Sequence, residues 1–532
     1  MNERAIDLIV VGAYLLTITS IGIWAGRKTS KSKEGYILGG RSLNWVLIGL
    51  SLYATNISAS GFIGGSGLAF KIGIAAANPE LLGGFCLSLS AMIFIPIYLR
   101  NRILTIPQFL ELRFSRATKL FYGGANVIRS FLAAPVHTYV GALLILGLFG
   151  FEVNTVNILI CGGIVTSTIG MYVIVGGLRS VVITDTIQVG IMLGGGILVV
   201  VFGLIEVGGI QELYHHLGQE KFKLWLPYES EQFAWDAVLF GNGTASAIYA
   251  ICAISVLQRT LAAKSVEDAQ KGMLLGGFLK MFALFLYSLP GLIALVLFQD
   301  ISPDSAYPLL AREVLPIGLR SIVLAAMIAA LMSSEDSSLN ANAGIIAVDI
   351  IPAFWKNVGE TKALTIGKLT VSLQMIVGVL LAPSVLYFDI GVLELILKIA
   401  AFLTLPAGIC FIFGRFSKRA NETGALATLI AGLFLGIYYV LCSTVPELKS
   451  FLPNSIADTQ FYRIYPFFFL FLSAIMMITS WLSQHPAPEK LCCLETNLPN
   501  RQKEIDGRPF YKKYYFWMII YICCFLGVYW IF

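Results

Sequence analysis

Segment 329–344 reads AALMSSEDSSLNANAG, and Ala330, Ser333, Ser334 and Ser337 in it recur at i, i+3, i+4 and i+7. On a helix that spacing puts all four on one face. A stripe of hydroxyls facing unwound backbone supplies oxygen ligands for a small hard cation, and sodium suits such neutral oxygens. Close packing of small residues explains the same stripe without an ion. Two further segments, YATNISASGFIGGSG (53–67) and FGNGTASAIYAI (240–251), are so dense in Gly, Ser, Asn and Thr that they make poor continuous helices. Unwound backbone there would free carbonyls for a cation and amides for a solute. Ionisable side chains form the third group. Asp185, Lys280, Glu335 and Asp336 lie inside or at the ends of apolar runs, and Glu80 opens one. Such groups are costly in hydrocarbon and mark function, unless they sit at a helix end and reach the interface. Glu335 fits that second description best and Lys280 least. Arg129 and His137, eight residues apart in one run, share roughly one face.

The elements that must position these groups follow from composition. Of 532 residues, 57% are hydrophobic and 13% charged, against about 25% charged in a soluble domain. A soluble enzyme is excluded. The apolar runs are about 20 residues long, the length that crosses ~30 Å of hydrocarbon as a helix, which also excludes a transmembrane barrel of ~10-residue alternating strands. About 14 such runs can be counted, so the expected fold is an all-α polytopic membrane protein. Basic residues gather in alternate connections: Arg27, Lys28, Lys31, Lys33 and Arg41; Arg100, Arg102, Arg113, Arg116 and Lys119; Arg179; Arg259, Lys264 and Lys271; Arg415, Lys418 and Arg419; and the loop 484–512. Such loops stay on the cytoplasmic side, so both termini are expected outside. The first run is expected to be a retained span. The net charge of +6 is spread over short connections and is no nucleic-acid signature. No GxxxxGK[ST] occurs, so no ATP-driven motor is expected. The nine cysteines show no CxxC pair and read as free thiols. Four histidines without clustered partners give no catalytic constellation, so the chain is not expected to be an enzyme.

Counting the leading run as zero, both Gly/Ser-rich segments fall in the first members of five-span sets, one to five and six to ten. Secondary transporters often pair two inverted five-helix repeats in this way. The blocks GGRSLNW (39–45), SLYATNISASGFIGGSG (51–67), LTIPQFLELRF (104–114), GGLRSVVITDTIQ (176–188), QRTLAAKSVEDAQKG (258–272) and LPIGLR…AALMSS…LNANAG (315–344) carry a resemblance to the sodium/solute symporter family, closest to its sodium/glucose cotransporter branch. The resemblance extends from about 39 to 420.

It implies a five-plus-five inverted-repeat (LeuT-like) core with an extra leading helix and trailing helices. Residues 1–38 would form the leading helix and a basic loop, 39–207 the first repeat, 208–233 an outside loop, 234–420 the second repeat, and 421–532 the trailing helices. It implies a main sodium site from the carbonyls of Ala54, Ile57 and Ala330 and the hydroxyls of Ser333 and Ser334. A second cation or proton site would use Asp185, Asp336 and Ser337. Asp336 departs from the family pattern, because a hydroxyl residue is usual there. Asn56, Glu80, Tyr249 and Lys280 match solute-binding positions. Gly61, Ala250 and Leu397, with Lys398 beside it, stand where the sugar branch carries polar or aromatic contacts. Arg129 or His137 would be the anion contact if the solute is carboxylated, as in some relatives. The implied activity is sodium-coupled import of a small polar solute by alternating access across a cell membrane, with a sugar or polyol as substrate. The alternatives are sialic acid or a small organic acid, and, more distantly, a non-transporting sensor. Sodium is the coupling ion, the bilayer the surroundings, and no obligatory protein partner is implied.

Overall fold

A backbone that crosses hydrocarbon must satisfy every amide within its own segment, and all regular elements among the described residues are helices. The computed structural model describes residues 3–27, 29, 32–59, 61–230, 232–316, 318–355, 357–387, 392–444, 446–451, 460–492 and 513–532. The principal helices are α1 (Glu3–Gly26), α2 (Trp45–Asn56), α3 (Asn78–Ile93), α4 (Arg116–Phe149), α5 (Thr155–Val207), α6 (Gly243–Cys252), α7 (Val266–Leu279), α8 (Leu319–Ile345), α9 (Glu360–Leu381), α10 (Val392–Phe416), α11 (Glu422–Thr444), α12 (Phe461–Leu482) and α13 (Tyr514–Ile531). Their starts follow from side-chain caps. Asn44 accepts from Leu47 N–H at 3.0 Å before α2, and Ser115 and Thr118 cap each other's amides before α4.

Ten helices among the described residues are long and apolar enough to cross a bilayer, or eleven with the bent pair Ala237–Cys252 and Ile254–Leu261 as one span. Three further spans follow from shape. α5 has 53 residues and leaves helical geometry at Gly177 (φ 59°, ψ −152°), so it serves twice. A Cβ at Gly177 would strike the Tyr36 carbonyl, and only glycine fits that left-handed turn. The region 61–93 holds both the second half of the span begun by α2 and the whole of α3. α10 adds the last with 25 residues.

Two spans are broken. After α2 the helical ladder ends with Ile57 N–H on the Tyr53 carbonyl, and Ile57 is extended (φ −94°, ψ 115°) before a π turn at Gly61–Gly65. The second break lies at Ala253 (φ −63°, ψ 109°), between α6 and Ile254–Leu261, with a 45° bend. It falls at the end of the Gly-rich segment 240–251, not within it. The glycine there serves close packing, since a Cβ on Gly241 would strike the Tyr462 backbone. The carbonyls that this bend frees are taken by hydroxyls. Ser90 donates to Ala250 at 2.8 Å, Tyr98 to Ile251 at 2.7 Å and Tyr122 to Cys252 at 2.6 Å.

α8 is the central strut, with 83% of its apolar window buried against 22% for α13, which therefore faces lipid. It packs mainly against α5, and also touches α1, α2, α4 and α9. The thiols of Cys86, Cys161, Cys252, Cys410, Cys442, Cys523 and Cys524 are free.

Candidate functional site

The serine stripe of α8 faces the first helix break. Ser334 Oγ lies 3.4 Å from the Thr55 carbonyl and 3.2 Å from that of Ala330. Thr55 Oγ1 and Ser337 Oγ are 3.0 Å apart. Because the α2 ladder stops at Tyr53, the carbonyls of Ala54 and Ile57 leave the helical pattern at this point. Ala54, Ile57, Ala330 and Ser333 are all buried. Ser333 Oγ is buried and lies beside the Asp185 carboxylate. Chemically this is a set of hydroxyl and carbonyl oxygens where a helix end meets a hydroxyl face, with the Asp185 carboxylate beside Ser333.

Next to it lies a charged cluster. Asp185, on the second half of α5, accepts from Ser51 Oγ at 2.5 Å and from Arg259 at 3.2 Å. Arg259 also donates to Ser51 Oγ at 2.5 Å and to Ser337 Oγ. Asp336 accepts from Tyr172 OH at 2.6 Å and from Ser337 Oγ at 3.0 Å. Asp185, Arg259 and Asp336 are each 0% exposed. One guanidinium thus serves two carboxylates, Asp185 directly and Asp336 through Ser337.

Sequence reasoning missed Arg259, which it counted as a loop charge. It also missed Ser51, Thr55 and Tyr172. The usable signal was QRT within ISVLQRTLAA, an arginine between the uncharged Gln258 and Thr260 inside an otherwise apolar run.

A second polar group forms where α7 ends. Lys280 Nζ lies 2.8 Å from Glu80 Oε2 and 3.3 Å from Asn56 Oδ1. The break in the first span, the start of α3 and the end of α7 thereby meet. Tyr249 on α6 is within electrostatic reach of Glu80, Arg129 and Arg259, and is 38% exposed. Tyr53 OH, also near Glu80, is buried without a partner among the described residues.

On α4, His137 Nδ1 contacts Glu335 Oε2. Glu335 is 4% exposed, so it is an interior partner and not an end-of-helix residue at the interface. Arg129 Nε is buried without an acceptor among the described residues. The two residues of the α4 face therefore differ: His137 has a carboxylate, while one edge of Arg129 is unclaimed. Gly61 opens the π turn, and Ala250 is buried with its carbonyl held by Ser90. The side chains of Leu397 and Lys398 lie outside the described residues.

Comparison with known proteins adds a second line of observation. The profile of the "Sodium:solute symporter family" matches residues 36–432. The sodium/myo-inositol cotransporter 2 of Rattus norvegicus is 30% identical over 534 residues, covering 91% of this chain and 78% of that protein. The sodium/myo-inositol cotransporter of Homo sapiens is 29% identical, with 91% and 74% covered. A solved substrate-bound, outward-open state of a Na+-coupled sialic acid symporter superposes with a TM-score of 0.78 at 20% identity, covering 91% of this chain and 99% of that one. Mhp1, a nucleobase-cation-symport-1 family transporter, superposes at 0.55 with 15% identity, covering 86% and 98%. Both superpositions speak to the fold alone.

Proposed function

Because the chain belongs to the sodium:solute symporter family, and is thus a multi-pass membrane protein that couples solute movement to sodium, we propose that its solute is a neutral sugar-like polyol, imported by alternating access. The observation that carries this reading is the charge balance at Lys280. Its ammonium is paired with Glu80 and bonded to Asn56, so the group offers hydroxyl-binding donors and acceptors without net charge. A polyol can exchange hydrogen bonds with all three and with Tyr249, and needs no counter-charge of its own. The myo-inositol cotransporters among the relatives support this class of solute.

In this reading Ala54, Ile57, Ala330, Ser333 and Ser334 hold the driving sodium ion. Asp185, Asp336 and Ser337 hold a second sodium ion or a proton. The two repeats are 39–207 and 234–420, with a leading helix in 1–38 and trailing helices in 421–532; both termini face outside a cell membrane. One ion crossing about 100 mV gains about 2.3 kcal/mol, and a tenfold sodium gradient adds about 1.4 kcal/mol. That total of about 3.7 kcal/mol sustains roughly 500-fold accumulation.

A second reading has its own observation. The unclaimed edge of Arg129, close to Tyr249, suits the carboxylate of sialic acid or of a small organic acid. Proteoliposomes with an imposed sodium gradient separate the two. Sodium-dependent current with myo-inositol or a neutral sugar, and none with carboxylates, is expected. Uptake of carboxylated solutes alone would replace the polyol reading with the Arg129 one.

A further inference from the structure

α12 ends at Leu482, and its last carbonyls need donors. The turn after α10 provides them. Arg419 donates through one terminal nitrogen to the carbonyls of Trp481 at 2.8 Å and Ser483 at 2.9 Å. Asn421 Nδ2 donates to the Ser480 carbonyl at 3.1 Å, to Ser483 Oγ at 2.7 Å and to the Gln484 carbonyl at 2.7 Å. The guanidinium is therefore held at a helix C-terminus, where a cation is favoured. Its other terminal nitrogen, Nη1, is buried and has no acceptor among the described residues.

Beside this fixed cation runs a groove of about 770 Å³, lined by Phe413, Ser417, Arg419, Met476, Met477 and Trp481 among others. Its α12 wall is open outward, with Trp481 75% exposed and Met477 60% exposed. Arg415 Nε is likewise buried without an acceptor among the described residues. From Arg415 to Glu422 the chain carries Arg415, Lys418 and Arg419 against Glu422 alone. The end of α10 is tied to the basic 100–119 connection, because Arg113 donates to the carbonyls of Gly414 at 2.9 Å and Ser417 at 2.8 Å. On the orientation proposed above, this end lies on the basic, inward-facing side, where anionic lipids concentrate.

We propose that this groove binds an anionic phospholipid. The phosphate accepts from Nη1 of Arg419, Arg415 and Lys418 supply the remaining countercharge, and an acyl chain lies along Phe413, Met476, Met477 and Trp481. A neutral annular lipid fills the apolar part equally well but leaves the arginine edge unpaired, so discrimination rests on headgroup charge.

The test uses the full chain in detergent, with native mass spectrometry of retained lipid and thermal unfolding. Phosphatidylglycerol should be retained over phosphatidylcholine by about 30-fold or more, as expected if two or three cations each contribute ~1 kcal/mol. R419Q should lose that preference. Because R419Q also removes a helix cap and could unfold the chain, R415Q/K418Q, which leaves the cap intact, should lose most of the preference while keeping sodium-dependent stabilisation. Equal retention of the two lipids by the unmodified chain would overturn the proposal. So would a preference that survives R415Q/K418Q, or equal stabilisation by inorganic phosphate alone.

Discussion

Arg259 approaches Asp185 to 3.2 Å with both side chains at 0% exposure. Nothing in this pair is screened by solvent, so breaking it from one side leaves a bare buried charge. Arg259→Gln should cost about 3–5 kcal/mol, read as a lowered unfolding midpoint in detergent. Asp185→Asn combined with Arg259→Gln should recover much of that loss. A double variant no more stable than Arg259→Gln would show that the guanidinium matters for its bonds to Ser51 and Ser337 instead.

The buried Ser333 hydroxyl and Ser334 should set sodium affinity. Ser333→Ala and Ser334→Ala should each weaken sodium-dependent thermal stabilisation by about tenfold in midpoint, about 1.4 kcal/mol. Titration curves that overlay the unmodified protein would remove the stripe from the ion site.

Asp336 accepts from Tyr172 and Ser337 and belongs to the proposed second cation or proton site. Asp336→Asn should change either the ions moved per solute or the pH dependence of uptake. Direct measurement of charge-to-solute ratio at two pH values checks this, and no change in either quantity would rule out a second cation or proton at this position.

Lys280→Ala should abolish solute-induced current while leaving sodium stabilisation within about twofold, since Lys280 contacts Glu80 and Asn56 but no member of the serine stripe. Twofold corresponds to about 0.4 kcal/mol. Loss of both responses together would make Lys280 a structural element.

In the first turn of α12, Arg463 grips Asp236, just before the helical segment Ala237–Cys252, through two nitrogens, at 2.8 and 2.9 Å. The guanidinium's hydrogen bonds hold the Asp236 carboxyl below the usual aspartate range. A depressed carboxyl adds stability above its unfolded value, ~3.9. That contribution fades as pH falls below ~3.9 and through the lowered folded value. Arg463→Gln should therefore lower stability at neutral pH slightly, the pair being partly exposed, and have little effect once Asp236 is protonated. An equal loss at both ends of the pH range would point to packing rather than to the ion pair.

The serine stripe was legible because a 3.6-residue period survives in sequence whatever it packs against. The helical, many-span architecture was legible because hydrocarbon thickness fixes segment length. Charge placement was less so. A lone arginine after an apolar run reads as a loop residue, and only the arrival of Asp185 from α5 shows that Arg259 points inward. Glu335 resembled an interfacial acid because its partner, His137, lies 198 positions away. The break in the sixth span was displaced for a similar reason. Gly241 marks where Tyr462 presses on the backbone, whereas the bend at Ala253 depends on three hydroxyls from other helices.

Those hydroxyls give the two broken spans different mechanical characters. At Ala253 the bent backbone is riveted by Ser90, Tyr98 and Tyr122, all neutral donors that no ion has to supply. Such a joint behaves as a fixed elbow: straightening it would strand three carbonyls at once. The break after α2 lacks this set of rivets and meets the serine face of α8 instead, so its geometry is the one that an arriving cation can alter. Of the two joints, the one without these rivets is therefore the one beside the proposed sodium site.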